Sequence, residues 1–307
     1  MRHVRFFLAS FSICFWLAIS VHGASDTPVS SKTTSSKNLQ DYGALQLALD
    51  NEGFSSGLID GKGGNKSATA MRLMREAGRI LTKPKDPWIM WKVPQDFPKD
   101  LSEIPESWTA RSKMRSLCFT TPLEKLAERF HTSQAFIRFL NPEIKDWSKL
   151  SGDSILKVPA LAPIRLPMAD HLRISLSSKV IMVCDSTDKV LASFPCSIAA
   201  KKEKRPIGAL QVKVLVPNPD YLFDPANFPE NPESATITSK LIIPPGPNNP
   251  VGEMWIGLSL KGYGIHGTPL PEDIGKTESH GCFRMTNWDA KRLGAILKIG
   301  TPVNVIE

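Results

Sequence analysis

The stretch YGIHGTPLPEDIGKTESHGCFRMTN, residues 263–287, holds one cysteine and two histidines within twenty-five positions. His266 ends a short run that is typical of a β-strand, and Cys282 follows sixteen residues later. Prolines and a glycine mark the intervening residues as a loop, which can fold back to bring the two side chains together. Because a neighbouring imidazole favours the reactive thiolate, Cys282 is the candidate nucleophile and His266 the candidate base.

Residue types alone leave two other interpretations of this stretch open. An isolated cysteine is usually a small buried apolar residue, and an isolated histidine usually has a structural role. His266, His280 and Cys282 also offer the atom types of a zinc site, although a fourth protein ligand is not evident. The order of the surrounding residues favours the catalytic interpretation.

The motif IHGT at residues 265–268, followed by SHGCFR at residues 279–284, resembles the active-site signature of the L,D-transpeptidases of bacterial cell walls. PPGPNNPVG at residues 244–252 and GTPV at residues 300–303 also match that family. The resemblance covers residues 165–307 and implies an enzyme that transfers acyl groups through a cysteine. It implies no metal ion and no organic cofactor.

The same resemblance implies roles for the residues around Cys282. The carbonyl of Gly267 would orient His266, and Arg284 would hold a substrate carboxylate or, alternatively, form a structural salt bridge. The residues expected to shape the site, surround the oxyanion donors or bind substrate are Ser279, His280, Gly281 and Tyr263. With His266 as the base, His280 would act through local geometry rather than proton transfer.

The implied donor substrate is a peptidoglycan stem tetrapeptide, which Cys282 would attack at the carbonyl that precedes the terminal D-alanine. The acceptor would be an amine of a second stem, a lysine of an envelope protein, or water. Two alternatives remain. One is a thiol hydrolase of the L,D-carboxypeptidase or endopeptidase type, and the other is a non-catalytic protein that binds the wall and its glycan strands.

Composition and the first residues predict an exported protein. The chain is 41% hydrophobic and carries a net charge of +8 without a basic repeat, which favours a polyanionic envelope surface over nucleic acid as partner. Residues 1–23 combine a basic start, an apolar run and small residues, as in a secretory signal peptide. An uncleaved membrane anchor is the alternative. We therefore expect the protein in the periplasm or the cell wall.

Three segments are predicted between the signal peptide and the catalytic region, after a disordered linker at residues 24–38. Residues 39–82 resemble a helical peptidoglycan-binding module, and residues 113–160 resemble a LysM module with a strand, two helices and a strand. The intervening residues 83–112 are rich in proline and tryptophan, which predicts a connector. We expect both modules to bind the cell wall and neither of them to contribute to the pair of His266 and Cys282. Deleting residues 24–160 should then weaken wall binding more than turnover.

The catalytic region, residues 165–307, predicts an all-β, sandwich-like domain because short alternating runs recur between turn signals. Nine prolines fall within residues 217–250, which predicts a stiff excursion over one end of the sheet. It would serve either as a lid over the site or as an ordinary long loop. Cys184 and Cys196 are expected to remain buried thiols. The predicted fold class is therefore multidomain α+β, with a helical module and a LysM-like βααβ module before the catalytic domain.

Overall fold

The computed structural model describes residues 35–97, 99–228, 231–275 and 281–307. The predicted signal peptide, residues 1–23, and residues 24–34 of the predicted linker lie outside these ranges. The described residues belong to one structural unit that begins at Ser35. Among the helices that the structure describes, none is long and apolar enough to cross a membrane.

Two helices form the first part of the unit, α1 at Ser36–Asn51 and α2 at Asn65–Glu76. The hydroxyl of Ser35 accepts a hydrogen bond from the backbone N–H of Asn38 and caps α1. The helix therefore begins at Ser36, so the last residues of the predicted linker, 24–38, are helical and the predicted end of the linker is wrong. The apolar faces of the two helices pack against a sheet formed by later residues. Leu49, Leu73 and Met74 of the helices, with Phe54 from the turn after α1, share a buried cluster with Val180, Met182, Cys184 and Val190.

A two-stranded sheet follows, in which β1 at Trp88–Lys92 pairs antiparallel with β2 at Ile155–Pro159. Between them lie three helices, the short α3 at Trp108–Arg111, α4 at Pro122–Arg129 and α5 at Gln134–Leu140. The first strand of this βααβ arrangement lies in residues 83–112, not in residues 113–160. The predicted connector therefore contributes a paired strand. Its prolines flank β1, where no ladder hydrogen bond is lost.

The catalytic region is built on one eight-stranded mixed sheet with the order β11-β10-β9-β6-β12-β3-β4-β5. Side chains from both halves of this sheet pack in one buried core. The sheet is curled, so its two halves face each other across this core as the two layers of a sandwich would. The predicted α+β class is confirmed. The strands are β3 His171–Ser175, β4 Val180–Cys184, β5 Val190–Pro195, β6 Gly208–Pro217, β9 Met254–Leu258, β10 Gly264–His266, β11 Phe283–Arg284 and β12 Pro302–Ile306, and helix α6 is Asn287–Ala295.

The proline-rich excursion, residues 217–250, contains a separate antiparallel pair, β7 at Tyr221–Phe223 with β8 at Leu241–Ile243. Phe223 and Ile243 are buried with Leu117, which comes from the segment between β1 and α4. The excursion therefore forms its own strand pair and also packs against the N-terminal part of the chain.

A buried ionic cluster joins three parts of the unit. Asp50 on α1 is 1% exposed, and both of its carboxylate oxygens accept hydrogen bonds from Arg292 on α6, at 2.7 and 3.0 Å. The ring Nδ1 of His131, in the turn between α4 and α5, lies 3.0 Å from the same carboxylate. Burial would raise the pKa of Asp50, but His131 and Arg292 outweigh it and hold that pKa well below its usual range. The cluster therefore fixes α1 and the α4–α5 turn to α6.

Arg292→Met should lower the free energy of unfolding by about 3–5 kcal/mol, because it leaves the buried Asp50 carboxylate without its guanidinium partner. The matched control is Arg72→Met, whose exposed pair with Glu76 lies within one helix and should contribute about 0.3–0.5 kcal/mol. Urea unfolding of both variants measures the difference. Equal losses in the two variants would show that the buried cluster does not hold the segments together.

Candidate active site

Parallel pairing of β10 with β11 brings the two ends of the 263–287 stretch side by side. Ile265 is opposite Phe283, and His266 is opposite Arg284. Cys282 immediately precedes β11, so its backbone lies at the level of the start of β10. His266 and Cys282 both line one cavity of about 650 Å³. The loop between them folds back as its prolines and glycine predict.

His266 is held in a single orientation by its surroundings. Its Nδ1 lies 2.6 Å from the carbonyl oxygen of Gly267. A carbonyl oxygen only accepts, so Nδ1 carries the proton and donates it, which leaves a lone pair on Nε2. Trp255 stacks on the ring at a centroid distance of 5.6 Å. A side chain at position 267 would place Cβ 2.2 Å from Oδ1 of Asn287, so only glycine fits this close approach.

Burial sets the charge of His266. The side chain is 5% exposed, and burial lowers its pKa to about 4, which the hydrogen bond to Gly267 opposes and the charge of Arg284 assists. The imidazole is therefore neutral at physiological pH. A neutral imidazole with a lone pair on Nε2 is the form that can accept a proton.

Burial also sets the state of Cys282. It raises the pKa of the thiol, and the backbone of Gly264 and the charge of Arg284 only partly oppose that effect. The sulfur donates a weak hydrogen bond to the carbonyl of Gly262, at 3.6 Å. The resting pair is therefore a thiol beside a neutral imidazole, and burial opposes the thiolate that a neighbouring imidazole favours. His266 would remove the thiol proton during attack rather than before it.

The remaining predicted site residues divide into two groups. Gly281, Tyr263 and Arg284 line the same cavity as Cys282, and a side chain at position 281 would lie 3.3 Å from the Tyr263 ring. Ser279 and His280 lie in residues 276–280, outside the described ranges. The oxyanion donors expected around them, and the alternative zinc set that includes His280, stay predictions.

Several residues of the cavity wall were missed by the sequence analysis. Tyr221 is half-buried, and burial together with the nearby Cys282 raises its pKa to about 12. Trp108 comes from the predicted connector, and its ring lies 6.2 Å from that of Tyr221. The signals were present in the density of tryptophan before residue 112 and of proline after residue 217. The other missed wall residues are Phe228, Trp255, Lys204 and Lys261.

Trp108 lies in the predicted connector, between the two modules that are expected to bind the cell wall. Since it lines the cavity that contains Cys282, deletion of residues 24–160 would remove part of this cavity as well as both modules. Turnover by the shortened protein would therefore report on more than the loss of wall binding.

Comparison with known proteins finds similarity to one enzyme family. The family model of the L,D-transpeptidase catalytic domain, YkuD, matches residues 169–305. A Bacillus licheniformis protein named as the L,D-transpeptidase YkuD is 27% identical over 183 residues, which cover 60% of this chain and 92% of that protein. The Escherichia coli protein named as the L,D-transpeptidase YbiS is 28% identical over 194 residues, 61% of each chain.

Among solved structures, L,D-transpeptidase 3 from Mycobacterium tuberculosis overlaps 53% of this chain and 77% of its own, with 18% identity and a TM-score of 0.35. The family assignment depends on the sequence match, which contains both His266 and Cys282. Residues 169–305 of this chain, which contain both His266 and Cys282, are therefore similar to the L,D-transpeptidase catalytic domain.

Proposed function

We propose that the protein is a cysteine-dependent L,D-transpeptidase that transfers a peptidoglycan stem peptide from Cys282 to an amine. One observation carries the proposal. His266, fixed by Gly267 with its Nε2 lone pair available, shares a cavity with Cys282 inside the family-matched region. A cysteine, a base and an orienting group for that base are three of the four components that acyl transfer needs.

Acylation is the first half of the proposed reaction. The sulfur of Cys282 attacks the carbonyl carbon between the L-centre of the diamino acid and the terminal D-alanine, while Nε2 of His266 takes the thiol proton. The imidazolium then gives that proton to the nitrogen of D-alanine as the C–N bond breaks. D-alanine leaves, and the peptide remains as a thioester.

Transfer completes the cycle. An amine attacks the thioester carbon, His266 accepts the amine proton, and the same proton returns to the sulfur as the C–S bond breaks. One amide bond has been exchanged for another, so no external source of energy is needed. Water in place of the amine would give hydrolysis, and a lysine of an envelope protein would give an attached protein.

Charge in the cavity suits a stem peptide as the donor. Lys204, Lys261 and Arg284 line the cavity, and a stem peptide carries carboxylates. Oriented cations can hold such carboxylates while the scissile bond meets the cysteine. Because peptidoglycan lies outside the cytoplasmic membrane, we place the protein in the periplasm or cell wall, with its two N-terminal modules as wall binders.

Incubation of the mature protein with a purified stem tetrapeptide tests the proposal. With an acceptor amine present, we expect free D-alanine and a product whose mass equals donor plus acceptor minus D-alanine. A tripeptide as the sole product would favour the hydrolase. Tetrapeptide binding without any product would favour the wall-binding protein, and either outcome would contradict the proposed transferase.

The pH dependence of acylation should follow the lowered pKa of His266. Its imidazole is protonated only below about pH 4, so acylation should be lost as pH falls through that value and stay nearly constant between about pH 5 and pH 8. An ordinary histidine would lose activity below about pH 6.5. The measurement is the rate of D-alanine release against pH, with folding monitored in parallel.

His266→Ala should slow acylation by about 10²- to 10⁴-fold, the range for loss of general base catalysis. His171→Ala is the matched control, since this half-buried histidine on β3 pairs with Asp188 and does not line the cavity. It should leave the rate and its pH profile unchanged. A wild-type profile that falls near pH 6.5 would contradict the assigned charge state of His266.

A further inference from the structure

The wall of the cavity opposite the catalytic strands includes a residue from outside the family-matched region. Trp108, on the short helix α3, lines the cavity together with His266 and Cys282. Trp108 is half-buried. Residues 169–305 carry the family match, and α3 precedes them by almost sixty positions. The cavity is therefore a composite of two separate parts of the chain.

Stacked rings hold Trp108 in place. Its ring lies 4.4 Å from that of Phe223, at an interplanar angle of 12°, and Phe223 stacks in turn on Phe228. Tyr221, on the same strand as Phe223, lies close enough to Cys282 for the charge of an ionised Cys282 to raise the pKa of Tyr221. Trp108 is thus connected through β7 to the surroundings of the nucleophile, and both aromatic residues line the cavity.

Hydrogen bonds fix the backbone around Trp108 to the excursion that covers the site. The carboxylate of Glu233 accepts from the hydroxyl of Ser107 at 3.0 Å and from the backbone N–H of Trp108 at 3.0 and 3.2 Å. These bonds join the start of α3 to Glu233 of the proline-rich excursion. Movement of either segment would break them.

A second set of bonds anchors the same segment further along. The N–H of Leu117 donates to the carbonyl of Pro245 at 2.8 Å, and the N–H of Asn248 donates to the carbonyl of Leu117 at 3.1 Å. Gly246 has a φ of +139°, and a Cβ there would lie 2.3 Å from the Leu117 oxygen. The two backbone segments are therefore in direct contact, and position 246 has no room for a side chain.

We propose that Trp108 is a substrate-contacting residue of the acyl-transfer site, held in place by Glu233 and Phe223. This inference rests on the proposed function. The aromatic face of Trp108, with Tyr221, would pack on the aliphatic part of the donor's diamino acid, while the nearby cations hold its carboxylates. Contacts of this kind act on the ground state and the transition state alike, so they set KM more than kcat.

Steady-state kinetics with the stem tetrapeptide and an acceptor amine tests the proposal. Trp108→Ala should raise KM for the donor by about 10-fold or more and leave kcat within about 3-fold, because a uniform binding contact is lost. Trp108→Phe keeps an aromatic ring to stack on Phe223, so KM should rise by no more than about 3-fold. This second variant keeps the test valid if the alanine variant does not fold.

Trp88→Ala is the matched control. Trp88 is also a half-buried tryptophan of the same N-terminal region, but its ring packs on Phe136, away from the cavity. It should lower thermal stability without changing KM. The rate at which iodoacetamide alkylates Cys282 should be similar in all the variants, which checks that the nucleophile is intact.

Two results would overturn the role of Trp108. An unchanged KM in folded Trp108→Ala would mean that the ring does not meet the donor, and an equal rise in Trp88→Ala would mean that the effect comes from lost stability alone. Both results leave the proposed function standing, since the wild-type protein still turns the tetrapeptide over. A wild-type protein without any turnover would overturn the proposed function and this inference with it.

Discussion

Parallel pairing of β10 with β11 brings together two residues that are sixteen positions apart in the sequence. Because Ile265 pairs with Phe283 and His266 with Arg284, the position of Cys282 is set by backbone hydrogen bonds rather than by a flexible loop. Both strands are short and lie at one edge of the eight-stranded sheet. The rest of the molecule must keep this edge in register, and helix α6, which follows β11 closely, is tied to α1 through the Arg292–Asp50 pair.

Desolvation is the second constraint on the site. Burial lowers the pKa of His266 and raises that of Cys282, so both groups rest in their neutral forms. A neutral pair costs less to bury than an ion pair would. In the proposed reaction, charge would separate only when substrate is present. Tyr221 and Phe228 of the excursion, and Trp108 of the N-terminal region, line the cavity that holds the pair.

Local patterns in the sequence predicted the parts of the structure that depend on neighbouring residues. The strand that ends at His266, the return loop, and helix starts such as Pro122 after Thr121 follow from turn and capping chemistry. The motif around Cys282 predicted the family. Parts that depend on distant partners were missed. β1 forms only because β2, more than sixty residues later, pairs with it, and no local signal shows that partner.

The cavity wall and the charge states were missed for the same reason. In the sequence, nothing separates Trp108 from the other tryptophans of the connector. Its contacts with Glu233 and Phe223 appear only in the folded chain. The residue types of a cysteine and a histidine indicate a thiolate, and only their burial in the folded protein reverses that expectation. Asp50 and Arg292, 242 residues apart, likewise give no sign of each other in the sequence.

The most direct measurement is the mass of the intact protein after incubation with a carbapenem, a strained β-lactam that acylates a nucleophile and stays attached. We expect wild-type protein and Cys118→Ala to gain the mass of one carbapenem, because Cys118 is a half-buried thiol that does not line the cavity. Cys282→Ala should gain none, although its fold is retained. An adduct that persists in Cys282→Ala, or that disappears in Cys118→Ala, would contradict the assignment of Cys282 as the nucleophile.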